Sequence, residues 1–281
     1  MAVLISLRAF SMSMDVKNQN LVVENLQTAA SISLICGIII FINCYIVNRY
    51  SYSMSLGYLL LLPAIFFFNK MLKDVVSIFP FIISFLIILF CGSRGPLLSL
   101  AIYMLWNILL SETDTIIKRR TKILLLIFTM GIFIFYNRIV NAFVLASNEI
   151  GIYSRTISMI EANNVMRDSG RNAIYLLNWQ KIKEKPIFGW GICGELSYSN
   201  VYPHNLFIEL CVDYGLILGA LIIGLFVFSL LRKLISTCFS DNAIITLMCL
   251  GFIPLVFSTS YLEYPFFWVL FGFCFPFRIV V

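Results

Sequence analysis

Apolar blocks, several of them long enough to cross hydrocarbon, follow one another along this chain with short cation-bearing stretches between them. A helix needs about 20 mostly apolar residues to span a bilayer. Eight such spans are expected, over residues 30–47, 52–68, 75–91, 96–110, 123–142, 205–231, 242–258 and 262–277. The span 96–110 is short, and the block 205–231 is long and interrupted by Asp213 and Gly215. That block reads as a short surface helix running into a spanning one. The hydrophobicity is nearly continuous, which argues for helices; barrel strands would alternate. The expected fold class is all-α: a polytopic transmembrane helical bundle of about eight spans, with a large external loop containing short helices.

Composition narrows the class further. The chain is 60% hydrophobic and 12% charged, with a mean hydropathy of +0.94. Soluble domains carry about twice that share of charge. The net charge of +6 does not indicate nucleic acid, because the cations lie between apolar blocks rather than in one patch. The eight cysteines (Cys36, Cys44, Cys91, Cys193, Cys211, Cys238, Cys249 and Cys274) form no CxxC pair, and most lie inside apolar blocks. They read as small buried hydrophobes rather than a disulfide or zinc framework. A His/Cys metal site is not expected from the one histidine, His204. The apolar start is short and broken by Arg8, unlike a cleavable signal.

Cation bias gives a topology. One set of short loops carries Lys70 and Lys73, then Lys118, Arg119, Arg120 and Lys122, then Arg232 and Lys233, with Arg278 after the last span. The alternate loops carry Arg49 and Arg94, and 259–261 holds no cation. The richer set belongs on the cytoplasmic side. The expected organisation is a cytoplasmic segment 1–29, five spans over 30–142, an external loop 143–203, and three spans over 204–281. Within the loop, Asp168 or Ser169 would cap a helix beginning near Arg171. Ile174, Tyr175, Trp179 and Ile182 would form its apolar stripe, and Pro186 would end it.

Four features fall on the outer side. Gly92-Ser93-Arg94-Gly95-Pro96 is a tight turn between spans. Arg94 is either a snorkelling anchor or a diphosphate ligand, since a guanidinium keeps its charge and pairs with phosphate oxygens. Ser169-Gly170-Arg171 reads as a solvated loop arginine or as a second phosphate contact. Pro186-Ile-Phe-Gly189-Trp190-Gly191 is a simple turn, or one that brings backbone N–H groups to an anionic lipid head. His204-Asn205 opens an apolar block in which Gly215 and Gly219 follow. His204 is an interfacial residue or a base, and the two glycines form a GxxxG face suited to close helix packing. Glu195 and Glu209 are further candidates on the acceptor side; Glu209 lies five residues after His204, off its helical face.

Written as a pattern, the last feature is His-Asn, nine residues, Gly, three residues, Gly. It resembles the signature of the O-antigen ligase and polymerase superfamily, the WaaL and Wzy types. Ser-Arg-Gly between spans, Ser-Gly-Arg in the large loop and Pro-x-x-Gly-x-Gly before His-Asn stand in matching order. The resemblance covers roughly residues 75–231. It implies transfer of a glycan from undecaprenyl diphosphate to an acceptor hydroxyl outside the bacterial cytoplasmic membrane. By resemblance, Arg94 and Arg171 engage the diphosphate and His204 contacts or deprotonates the acceptor. Ser93, Asn205, Gly189, Gly191, Trp190 and Glu195 are the expected substrate-binding residues. Direct displacement would invert the anomeric centre without metal or cofactor, in keeping with the lack of a DxD-like acidic pair. The implied partners are the lipid-linked glycan, membrane lipids and a chain-length regulator, with no nucleic acid.

Members of that superfamily are usually longer, with more spans ahead of the Ser-Arg-Gly turn, so a shortened or N-terminally truncated member is expected. The favoured reading is a polymerase joining lipid-linked repeat units for surface polysaccharide. The alternatives are a ligase acting on lipid A core or protein, and a flippase of lipid-linked sugars. A transporter should carry mid-membrane ionisable groups in paired, repeated halves, and no repeat is visible.

Overall fold

The computed structural model describes residues 16–48, 52–71, 74–109, 171–199, 201–236 and 242–275, with single positions at 8, 10, 138, 141, 145 and 149. The stretch 123–142, expected to span, apart from positions 138 and 141, and the capping residues Asp168 and Ser169 lie outside them. The described residues are helical, with no strand among them. Two compact units are present, one of residues 1–23 and 167–281 and one of residues 24–166.

The helix α1 (Val16–Phe41, running on as a π-helical turn Ile42–Val47), which belongs to the unit of residues 24–166 from Glu24 onward, precedes α2 (Met54–Met71), α3 (Ile78–Phe90) and α4 (Arg94–Leu109) of that unit. The α2–α3 turn is closed by Asp74, whose carboxylate accepts from Val76 N–H at 3.1 Å and Ser77 Oγ at 3.1 Å. That cap satisfies donors a helix start leaves open. At the other end of this hairpin, Ser53 N–H donates to Cys91 O at 3.0 Å. The Gly92-Ser93-Arg94 turn therefore sits beside the start of α2, opposite Lys70.

The unit of residues 1–23 and 167–281 holds α5 (Arg171–Glu184), α6 (Leu206–Ser236), α7 (Asn242–Leu247), α8 (Ile253–Phe257) and α9 (Pro265–Cys274). A π-helical turn, Met248–Phe252, joins α7 to α8. The expected helix from Arg171 to the residues before Pro186 is present. Its inward stripe differs from expectation: Asn178 and Ile182 are buried, whereas Trp179 is exposed. The reason is a polar contact rather than area, since Tyr198 Oη donates to Asn178 Oδ1 at 2.7 Å.

The helix α6 is broken. Gly215 has φ 79 and ψ 172, and separates a short limb 206–214 from a long one, 216–236. The limbs fold sharply together: a Cβ on Gly219 would stand 2.9 Å from Leu210 O and 3.1 Å from Cys211 Cα. The spacing read as a face for close helix packing serves that end within one helix, where the long limb closes on the short one. Block 205–231 is thus a short helix running into a long apolar one, as expected, but the short limb, with Leu206, Glu209, Leu210 and Val212 buried, is not a surface helix. At 1.5 Å per residue the long limb reaches about 30 Å, a bilayer's hydrocarbon thickness.

Ile217, Leu221, Leu225, Phe228, Leu231 and Ile235 recur along the long limb at helical spacing, each more than half exposed. A stripe of that kind belongs in lipid rather than in water. Among the described residues, three helices can cross a membrane by length and composition, Thr28–Val47, Met54–Met71 and Leu206–Ile235. Val75–Phe90, Ala243–Phe257 and Pro265–Cys274 are shorter apolar helices. The described residues thus show an all-helical integral membrane protein, without establishing eight spans.

Candidate functional site

The break in α6 is the floor on which a loop is built. Trp190 N–H donates to Val212 O at 2.8 Å, Gly191 N–H to Asp213 O at 2.9 Å, and Leu216 N–H to Pro186 O at 2.7 Å. These bonds close the carbonyls and the amide that the break leaves open, each contributing about 1 kcal/mol net. Gly189 is required for this contact, because its Cβ would lie 2.5 Å from Asp213 O. Its own N–H donates to Lys185 O at 3.1 Å. All three N–H groups of Gly189, Trp190 and Gly191 are therefore taken by carbonyls. The expectation that this turn offers N–H groups to an anion does not hold in this geometry; the turn docks the loop onto the broken helix.

The loop then delivers side chains. Trp190 Nε1 donates to Lys181 O at 2.9 Å, and Lys185 Nζ lies 3.9 Å from its ring centroid. Tyr198 meets Trp190 edge-on at 5.6 Å. The turn of 3-10 helix Gly194–Ser197 presents Glu195, which is 2% exposed. Among the described residues its Oε2 meets no hydrogen-bond partner. Burial, with the charges of Glu195 and Asp213, pushes Tyr198 up to about 12. Cys193, beside the same carboxylates, is also raised, chiefly by burial.

Opposite this loop, the short limb carries Glu209 and Asp213, four residues apart and so on one face. Both are buried, and both grip the segment 258–264 between α8 and α9. Ser260 Oγ donates to Glu209 Oε1, and Tyr261 N–H to Glu209 Oε2 at 3.4 Å. Tyr261 Oη donates to Asp213 Oδ2 at 2.7 Å, while Gly194 N–H donates to Asp213 Oδ1 at 3.3 Å. Burial and the Asp213 charge push Tyr261 up as well, so its hydroxyl stays a donor. Asp213 was read in the sequence only as an interruption. Its signal was a carboxylate inside an apolar block, which is costly unless partnered.

His204 stands at the head of the short limb with φ 57, a left-handed conformation that histidine tolerates better than most residues. Its Nδ1 lies 2.9 Å from Ser258 O. A carbonyl can only accept, so Nδ1 carries the hydrogen and the neutral ring keeps an acceptor lone pair on Nε2. Tyr202 flanks the ring at 4.4 Å between centroids. Asn205 caps the limb: its Oδ1 accepts from Phe207 N–H at 3.0 Å and Ile208 N–H at 3.3 Å, and its Nδ2 donates to Val256 O at 3.2 Å. Asn205 is thus committed to structure on both sides of its amide.

The structure gathers Gly189, Trp190, Gly191 and Glu195 at the break, and His204 and Asn205 on the neighbouring segment 256–258. Arg171 begins α5, about 10 Å along the axis from the Asn178 that meets Tyr198. Ser93 and Arg94 belong to the other compact unit, where Ser93 is buried and Arg94 is exposed at the first residue of α4. No three His, Cys, Asp or Glu residues converge with metal-holding geometry among the described residues.

These features define a class: an integral membrane protein in which a glycine turn docks onto a broken helix. A family model described as O-antigen ligase (Wzy_C) matches residues 79–223, just over half of the chain, and the chain belongs to that family. The matched range holds Ser93-Arg94-Gly95, Arg171, the docked glycine turn, His204-Asn205 and both glycines of the α6 break. A search among curated proteins returned no match.

Proposed function

We propose that this protein is a glycosyltransferase of the bacterial cytoplasmic membrane that joins undecaprenyl-diphosphate-linked repeat units into surface polysaccharide. The observation that carries this reading is the state of His204. Its Nδ1–H is engaged by Ser258 O, which leaves Nε2 as the proton acceptor. The acceptor sugar hydroxyl attacks the anomeric carbon and loses its proton to Nε2. The bond from that carbon to the diphosphate oxygen breaks, and the diphosphate leaves with the electron pair. Attack opposite the leaving group inverts the anomeric centre.

The roles of Arg94 and Arg171 come from the order of the motifs: they neutralise the charge growing on the diphosphate. The orphaned Oε2 of Glu195 is a hydrogen-bond acceptor awaiting a sugar hydroxyl. The external placement of residues 143–203 and a chain-length regulator as partner belong to the same proposal.

A ligase is the second reading, favoured by the printed description of the family. Complementation separates the two. Cells lacking the chain should carry single repeat units on their normal acceptor, and restoring it should return a ladder of lengths. Loss of all glycan from the acceptor would instead identify the ligase.

Two further results are expected. Arg94→Lys keeps the charge but loses the planar fork for phosphate oxygens, so transfer should fall at least about tenfold, or 1.4 kcal/mol. Normal glycan from a normally abundant Arg94→Lys protein would make Arg94 a membrane anchor. In a background without native cysteines, Cys placed at Ser147 should react with an impermeant thiol reagent in intact cells, and Cys at Thr115 should not. Equal or reversed labelling would overturn the topology.

A further inference from the structure

We propose that Glu209 and Asp213 are positioning residues for His204, acting through the segment 258–261 rather than by contact with substrate. The proposal rests on reading His204 as the base. What selects the Nδ1–H form is one backbone carbonyl, Ser258 O, at 2.9 Å. That oxygen also accepts from Tyr202 Oη at 3.5 Å, and Ser258 N–H donates to Pro254 O at 2.8 Å, so the residue is held within its own segment. Its position depends on the segment around it.

That segment is fastened from below by the short limb of α6. Ser260 Oγ and Tyr261 N–H reach the two oxygens of Glu209, and Tyr261 Oη reaches Asp213. Leu262 N–H closes onto Ser260 Oγ at 3.3 Å and Trp268 Nε1 onto Tyr261 O at 2.7 Å, so the fastened residues are fixed on their far side too. The limb that bears Glu209 and Asp213 is the limb that His204 and Asn205 begin. Base, carbonyl and clamp therefore form a closed loop of contacts. His204 sets off the limb, the limb holds Ser260 and Tyr261, and Ser258, two residues upstream of Ser260, holds His204. An imidazole freed from such a carbonyl exchanges its proton between the two nitrogens. Only one of those forms leaves Nε2 able to accept. Two costly buried carboxylates on one helical face, Glu209 with both oxygens and Asp213 with one on the same short segment, have in this arrangement a purpose beyond filling space.

The chain contains a single histidine, so 15N-histidine labelling reports on His204 alone. In purified full-length protein the nitrogen spectrum should show Nδ1 protonated and Nε2 bare. Glu209→Ala should convert it to exchanging tautomers, Ser260→Ala should do so in part, and Glu209→Gln, which keeps an acceptor oxygen, should stay close to the parent. Transfer by Glu209→Ala should fall at least about tenfold in turnover with the donor KM unchanged, as for a lost base. Should Glu209→Ala fail to fold, Ser260→Ala carries the test. An unchanged tautomer in every folded variant, or a parent protein with Nε2 protonated, overturns the proposal. The spectrum needs no turnover. A parent protein that shows the expected tautomer but no glycan transfer would refute the function and leave the clamp standing.

Discussion

Replacing His204 with asparagine should abolish glycan transfer while leaving the protein folded and its donor bound. General-base assistance is worth about 10²–10⁴-fold, so the variant should fall by at least the lower figure. Asparagine is the informative choice. His204 sits at φ 57, where asparagine is tolerated and alanine is strained by about 1–2 kcal/mol. His204→Ala would therefore mix a chemical loss with a backbone one. His204→Asn removes the ring and one hydrogen bond to Ser258 O, a net cost near 1 kcal/mol. Turnover and donor binding measured separately, at matched protein abundance, decide the matter. Undiminished turnover removes His204 from the chemistry. Lost donor binding makes it a diphosphate contact.

The second large effect is structural. Gly215→Ala should sharply lower the amount of folded protein. The conformation at Gly215, φ 79 with ψ 172, is open almost only to glycine, and a Cβ there would meet Ile187 O at 2.2 Å. Both the strain and the collision involve backbone, so neither relaxes by turning a side chain. A loss above about 3 kcal/mol is expected, seen as a collapse of the monodisperse peak in thermal gel filtration. Gly224→Ala is the control. It lies in the long limb with no atom within 4 Å of its Cβ, and should be neutral or gain up to about 1 kcal/mol. A Gly215→Ala protein as stable as this control would mean that the α6 limbs do not fold together.

Local signals carried much of this fold into the sequence. The helix from Arg171 and its end before Pro186 follow from composition over a few residues, as does the interruption at Asp213 and Gly215. The direction of the interruption did not, because closure of the limbs depends on Gly219 meeting Leu210 and Cys211 after a turn that periodicity cannot register. Trp179 was expected inside because it falls on the apolar stripe with Ile174, Tyr175 and Ile182. Asn178 took that place because Tyr198, twenty residues on, supplies its partner.

The site shows the same division. His204 and Asn205 stand out as a motif, but the partners that explain them, Ser258 and Val256, lie more than fifty residues away. Glu209 looked remote from His204 because helical spacing was the only ruler available. The connection runs instead through Ser260 and Tyr261, on a segment that carries no motif. The glycine turn was visible as a turn. That its N–H groups face Val212 and Asp213 rather than a ligand is a fact of tertiary docking.

The central claim is that this chain polymerises lipid-linked sugars. The most direct measurement takes the purified full-length protein with synthetic undecaprenyl-diphosphate repeat units as both donor and acceptor, and resolves the products by length. A ladder of lipid-linked oligomers with inverted linkages is expected, absent with His204→Asn. Release of undecaprenyl diphosphate with transfer only to a non-repeat acceptor, or no transfer from a stable parent protein, would contradict it.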